Sequence, residues 1–211
     1  KGVVIGRDTR FMGAAFCEEA ASVLANEGIP VFLCDRDVPT PVLSYEILRR
    51  GTAGCINFTA SHNPPEYNGV KFSPSWGGPA LPETTKEIER LANAMTSQDV
   101  AGIPSFEKAK GSGLITMIDP RPDYLKDLAT KVNLDAIRSI GSLALNPLYG
   151  TARGYLDAPL RERSIPCTII NDHLDPYFGG EPPEPSEAHI HDFIDVIKAN
   201  PAIRLGLATD G

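Results

Sequence analysis

Ala53-Gly54-Cys55-Ile56-Asn57-Phe58-Thr59-Ala60-Ser61-His62-Asn63-Pro64 is the stretch on which the reading of this chain turns. Its first six residues make a short, mostly apolar run of the kind that fills a buried strand. The run stops at a polar bend rich in Asn and Pro. Pro64 and Pro65 restrict the backbone just beyond, and Pro64 biases Asn63 away from helix. A serine leaving a buried strand into such a bend cannot swing far. A fixed hydroxyl at the mouth of a sheet is what a covalent nucleophile requires.

Strand-like and helix-like segments alternate on both sides of this stretch. Upstream, Val3-Val4-Ile5 predicts a strand. Residues 14–27 predict a helix with Phe16, Ala20, Val23 and Leu24 on one face, ended by Gly28. Val31-Phe32-Leu33-Cys34 predicts a second strand. Thr40-Pro41 then opens a helix, with Thr40 as N-cap and Pro41 at the first helical position, that ends at Gly51. Downstream, Val70-Lys71-Phe72 predicts a return strand after the turn at Asn68-Gly69, and residues 83–95 a charged amphipathic helix.

Residues 97–113 lose this periodicity and contain Gly102, Pro104, Gly111 and Gly113, so a boundary is placed there. The first domain is read as 1–97, a linker as 98–113 and the second domain as 114–211. The second half offers a connecting strand at 114–118, a helix at 123–132, strands at 142–145 and 167–170, and a helix at 152–163. It closes with a helix at 186–199, whose buried face is Ile190, Phe193, Ile194 and Ile197, and a strand at 203–208. The alternation predicts the α/β class: two consecutive α/β/α layered domains with mixed, mainly parallel sheets. Ligands of such sheets gather beyond the carboxyl ends of the strands, where Ser61 and Asp210 both fall.

Bulk properties narrow the function classes. With 211 residues, 22% charged and 42% hydrophobic, the chain suits a globular protein of one or two domains rather than a disordered one. No apolar run is long enough to span a bilayer and no signal peptide is visible, so a cytoplasmic protein without a membrane partner is expected. A net charge of -7 without a basic stripe argues against nucleic acid as a partner. An anionic small substrate stays open, because local charge around a cleft outweighs the total. Cys17, Cys34, Cys55 and Cys167 form no CxxC pair and sit in or beside apolar segments, as reduced core thiols do. His173, His189 and His191 lack zinc-type spacing and read as surface residues.

Two further constellations accompany Ser61. Gly6-Arg7-Asp8-Thr9-Arg10 follows a strand and precedes a helix, where arginines can fork onto phosphate oxygens. The alternative is a solvated charged loop with an internal Asp–Arg pair. Asp210-Gly211 places a carboxylate at a strand end, either as a Mg²⁺ ligand or as a turn or cap residue. A serine hydrolase would want Gly-x-Ser-x-Gly, and a dinucleotide fold Gly-x-Gly-x-x-Gly. Ser61 has neither glycine, and the first strand is followed by Gly6-Arg7-Asp8.

Thr59-Ala60-Ser61-His62-Asn63-Pro64, with Gly6-Arg7-Asp8-Thr9-Arg10 upstream and Asn68-Gly69-Val70-Lys71 downstream, resembles the α-D-phosphohexomutases, the phosphoglucomutase/phosphomannomutase enzymes. Asn146-Pro147-Leu148-Tyr149-Gly150-Thr151-Ala152 resembles that family's glycine turn after a strand. Leu207-Ala208-Thr209-Asp210-Gly211 resembles the opening of its metal loop. The resemblance implies an N-terminal portion of a four-domain enzyme, without the first strand and without the C-terminal domains that complete the metal, sugar and phosphate loops. Such a portion is expected to be inactive on its own.

It implies a mutase that interconverts hexose 1-phosphate and hexose 6-phosphate, of glucose or mannose, through a phosphoserine and a hexose 1,6-bisphosphate. Ser61 would carry the phosphoryl group and contact Mg²⁺, with Asp210 as a metal ligand. Arg10 would neutralise the phosphoryl oxygens. Lys71 would give or take a proton or add positive charge, and His62 would support the loop or relay a proton. A loop histidine bonded to backbone is the alternative for His62. The alternatives for the whole are a phosphoglucosamine mutase or a non-catalytic α/β scaffold.

Overall fold

The computed structural model describes residues 1–211, and its first sheet grows from the three apolar runs of the first half: β1 (Val3–Arg7), β2 (Val31–Cys34) and β3 (Gly54–Phe58). Two further strands flank them. β4 (Val70–Pro74) lies antiparallel on β3, and β5 (Ile115–Ile118) parallel on β2, giving the order β4-β3-β1-β2-β5. Register pairs Ile5 with both Leu33 and Ile56, so the three share a face. α1 (Gly13–Asn26) covers that face, packing Cys17, Ala21 and Ala25 on Ile5, Val31 and Leu33.

α2 (Thr40–Arg50) covers the opposite face. A Cβ on Gly6 would lie 2.6 Å from Leu43 Cδ2, so the small residue in β1 is what lets α2 approach. Thr40 is the first residue of α2 rather than its cap: Pro39 holds the N-cap position in extended backbone, and Thr40 Oγ1 accepts a hydrogen bond from Asn57 Nδ2 at 3.2 Å. Gly51 ends α2 at a φ of 62°, a left-handed conformation that glycine adopts without strain. Glu46 is fully buried on α2, its carboxylate taking two hydrogen bonds from Arg49, at 2.8 and 2.9 Å, and one from Arg50. α3 (Pro82–Ala94) buries none of its residues.

The boundary predicted at 98–113 needs correction. That segment contains α4 (Phe106–Lys110), which packs Ala109 into the core under α1, and the expected connecting strand is β5, the fifth strand of the first sheet. Its glycines sit in turns around a short helix, and the apolar residues Phe106, Ala109, Leu114 and Ile115 complete the core of α1 and β2. The first unit is Lys1–Arg7, Met12–Thr59 and Gly69–Asp119; the second is Asp8–Phe11, Ala60–Asn68 and Pro120–Gly211.

The second unit is built on β6 (Ser142–Asn146), with β7 (Cys167–Ile169) and β8 (Ile203–Ala208) parallel on either side. One face of β6 packs Leu143 with Leu160 and Ile165; the other packs Ala144 with Phe193 and Ile203. α5 (Arg121–Lys131) and α6 (Leu134–Ile137) precede β6. The helix expected over 152–163 is only α7 (Asp157–Glu162), because Gly154 stands at a φ of 84° and residues 151–156 form turns. The helix expected over 186–199 divides at Ile190, whose φ of −123° is not helical, into a 3₁₀ turn at Glu187–His189 and α8 (His191–Ala199). Val196, not Ile194, joins Ile190, Phe193 and Ile197 in the core. Both sheets are thus mainly parallel, with β4 the one antiparallel strand, and no helix is long and apolar enough to cross a membrane.

Candidate active site

The bend after β3 carries Ser61 in a left-handed conformation, at a φ of 57°. A non-glycine residue held there costs roughly 1–3 kcal/mol, so its surroundings must over-determine it. Arg10 supplies that constraint. Its side chain is 0% exposed, and its guanidinium reaches four carbonyl oxygens of the bend. Nη2 donates to Ser61 O at 2.8 Å and Asn63 O at 2.6 Å; Nη1 donates to Pro64 O at 2.7 Å and Tyr67 O at 2.9 Å. Nε donates to Asp8 Oδ2 at 3.1 Å, while Asp8 Oδ1 accepts the backbone N–H of Arg10 at 2.9 Å. Asn68 Nδ2 adds a bond to Phe11 O at 3.0 Å. All of these residues belong to the second unit.

This arrangement occupies the donors of Arg10. A guanidinium has five N–H donors, and here Asp8 and four backbone carbonyls take one each. None remains for a phosphoryl oxygen. Arg10 holds the loop that carries Ser61. The Asp8–Arg10 pair allowed for in a solvated loop is present, but buried: Asp8 is 4% exposed and Arg10 3%.

The other expected residues are distributed as follows. Ser61 is half-buried, and His62 beside it is exposed. Lys71 is exposed on β4, opposite Asn57 in the register, and belongs to the first unit. Asp210 is exposed just beyond the carboxyl end of β8, and the neighbouring Thr209 Oγ1 is buried without a hydrogen-bond partner. No group of three or more His, Cys, Asp or Glu side chains is gathered for a metal ion. One carboxylate is short of a protein-only metal centre. It is the kind of donor Mg²⁺ uses when phosphate and water fill the rest of its shell, so Asp210 fits as a single ligand.

Sequence reasoning missed Asp175 and Phe178. Asp175 accepts the amides of Tyr177 and Gly179, each at 2.9 Å, and so fixes the turn that buries Phe178 against Arg10. The stretch has no periodicity, and the only local signal was an aromatic residue followed by Gly179-Gly180.

Residues 1–99 match the family described as phosphoglucomutase/phosphomannomutase, alpha/beta/alpha domain I, and residues 122–211 match alpha/beta/alpha domain II. A phosphoglucomutase of Komagataeibacter xylinus is 35% identical over 185 residues, 82% of this chain and 33% of the relative. A phosphoglucomutase/phosphomannomutase of Thermococcus kodakarensis is 31% identical over 99% of this chain and 44% of its own length. A phosphoglucosamine mutase of Methanococcus maripaludis is 30% identical over 100% of the chain and 45% of its own. The chain therefore spans a third to just under half of these relatives. Among solved structures, a protein of Thermus thermophilus, provisionally described as a phosphomannomutase, superposes with a TM-score of 0.83 at 33% identity over 99% of this chain and 46% of that one. Parafusin of Paramecium, at 19% identity over 100% of this chain and 44% of its own, shares the fold with a TM-score of 0.80.

Proposed function

Because the chain belongs to the phosphoglucomutase/phosphomannomutase family, we propose that Ser61 is the phosphoryl carrier of a hexose-phosphate mutase. The observation that carries the reading is the clamp itself. Arg10 fixes four carbonyls of one short bend and holds the serine in a strained backbone conformation. Phosphoryl transfer asks for in-line positioning more than for covalent chemistry by the protein.

In the proposed reaction, a free hydroxyl oxygen of a hexose monophosphate attacks the phosphorus of phosphorylated Ser61. The P–Oγ bond breaks, the hydroxyl proton leaves, and Oγ takes a proton. The resulting hexose 1,6-bisphosphate, once turned over, returns its other phosphoryl group to Ser61 by the reverse steps. His62, exposed in the same loop, is the proposed proton relay. Lys71 is the proposed cation or proton donor, an assignment that rests on the family resemblance. Asp210 and the Ser61 phosphoryl would hold Mg²⁺, which supplies neutralisation of the transferred group's spread charge.

Glucose and mannose phosphates are the proposed substrates. The phosphoglucosamine mutase among the relatives makes glucosamine phosphate the competing one. The test is intact-mass analysis of the full-length enzyme that carries this chain after exposure to glucose 1,6-bisphosphate, followed by turnover with the three sugar phosphates. One phosphoryl group on the protein, absent in Ser61→Ala, is the expected result. Undiminished turnover in Ser61→Ala would overturn the mechanism.

A further inference from the structure

We infer that Phe178 is a positioning residue that ties the Arg10-clamped serine bend to the turn carrying Asp210. The in-plane donors of Arg10 are all engaged, which leaves the faces of its guanidinium. Arg10 Cζ lies over the Phe178 ring, 5.1 Å from its centroid. The ring also borders Gly211: a Cβ there would come within 3.0 Å of Phe178 Cε1 and 2.4 Å of Pro183 Cβ. The same Gly211 is pressed onto Gly150, where a Cβ would lie 2.2 Å from Gly211 Cα, and its N–H donates to Pro183 O at 3.0 Å. One ring, 3% exposed, therefore touches both the clamp of the serine and the residue next to Asp210.

The turn is built to hold that ring. Phe178 has a φ of 52°, a conformation unfavourable for a bulky residue. Asp175 offsets the strain: its two carboxylate oxygens accept the amides on either side of Phe178, and its carbonyl accepts Phe178 N–H at 3.1 Å. Gly179 in turn packs on the Tyr149 ring, where a Cβ would lie 2.8 Å from Cε2. A desolvated cation over an aromatic face is a stronger contact than an exposed one. Removing the face would let water reach Arg10 and free the serine bend and the Asp210 turn from each other.

The consequence for catalysis rests on the phosphoserine reading. If Ser61 and Asp210 serve one phosphoryl group, a slack tie between them lowers the transfer rate, and a misplacement near 1 Å is worth about a hundredfold. The test compares Phe178→Leu, which keeps apolar bulk and removes the π face, with Phe178→Tyr, which keeps the face. Two readouts are taken on the full-length enzyme that carries this chain: hydrogen exchange at the amides of Asn63, Tyr67, Thr209 and Gly211, and the rate at which glucose 1,6-bisphosphate phosphorylates Ser61.

Phe178→Leu should raise exchange in both segments together and slow phosphorylation by about tenfold to a hundredfold. Phe178→Tyr should restore both readouts. Exchange unchanged in Phe178→Leu, or raised in only one segment, overturns the tie, as does a tyrosine variant no better than leucine. A wild-type protein that takes no phosphoryl group, while Phe178→Leu still loosens both segments, overturns the phosphoserine reading and upholds the tie. Should Phe178→Leu fail to fold, Asp175→Ala, which releases the turn without touching Arg10, must loosen the same two segments for the inference to stand.

Discussion

Replacing Arg10 tests whether the serine bend is held by one side chain. Arg10→Ala removes five hydrogen bonds at once and leaves Asp8, 4% exposed, without its cation. Breaking a buried ion pair from one side costs about 3–5 kcal/mol, because the remaining charge stays desolvated. The four carbonyls add less than their number suggests, since a bend made of half-buried and exposed residues can turn them to water. Arg10→Lys keeps a charge for Asp8 but has three donors for five acceptors. Two lost charge-assisted bonds, partly replaced by water, give roughly 2–3 kcal/mol.

Both variants should lower the urea midpoint of the full chain, Ala more than Lys, and both should speed exchange at Asn63 and Tyr67, whose amides bond to Ala60 O and Pro64 O. In Asp8→Ala/Arg10→Ala the cost should fall short of the two singles combined, since neither charge is then left alone. An Arg10→Ala protein within about 1 kcal/mol of wild type, with exchange at both amides unaltered, would refute the argument.

Gly6→Ala should cost about 1–3 kcal/mol by overpacking, because the new Cβ falls 2.6 Å from Leu43 Cδ2. Leu43→Ala in the same chain should recover part of that loss, read as coupling in a double-mutant cycle of urea midpoints. Burial pushes the thiols of Cys34 and Cys55 well above their ordinary range, and of Cys167 by less, so a disulfide reagent at pH 8 should reach Cys167 slowly and the other two only after unfolding, counted by mass. A folded pKa above the unfolded value means stability that is complete below the unfolded thiol pKa of about 8.5 and is lost as pH rises beyond it. Cys34 and Cys55 should each add a slope of about −1.4 kcal/mol per pH unit above that point. Cys55→Ala should remove one such slope from the urea stability measured between pH 8 and 10; an unchanged slope would count against it.

The fold was legible where hydrophobic pattern and chain breaks agreed. Val31–Cys34 and Ile203–Ala208 lie where apolar run and flanking turns put them, and Gly28 and Gly51 end their helices with the positive φ that glycine permits. It was illegible where tertiary contacts decide. Residues 106–110 have too little periodicity to read as structure, yet Phe106 and Ala109 are fixed by the α1 face they fill. The helix over 152–163 loses its first turn to Gly154, whose helical cost a pattern match does not weigh.

The site shows the same division more sharply. Ser61 could be located because a strand, a bend and two prolines constrain it through the chain itself. What Arg10 does could not, because its acceptors lie 51 to 57 residues away, at Ser61, Asn63, Pro64 and Tyr67, and all are backbone carbonyls that every sequence possesses. An arginine beside a nucleophile invites the reading that its charge meets the substrate. Counting donors points elsewhere: five N–H groups already have five acceptors, so under the phosphoserine reading Arg10 would serve by holding the bend that carries Ser61. On the same reading, the positive charge that a transferred phosphoryl would meet directly comes from elsewhere. That makes removal of Lys71 a sharper probe of transition-state charge than removal of Arg10: Lys71→Ala should lower the phosphoryl transfer rate without moving the urea midpoint, whereas Arg10→Ala should move both.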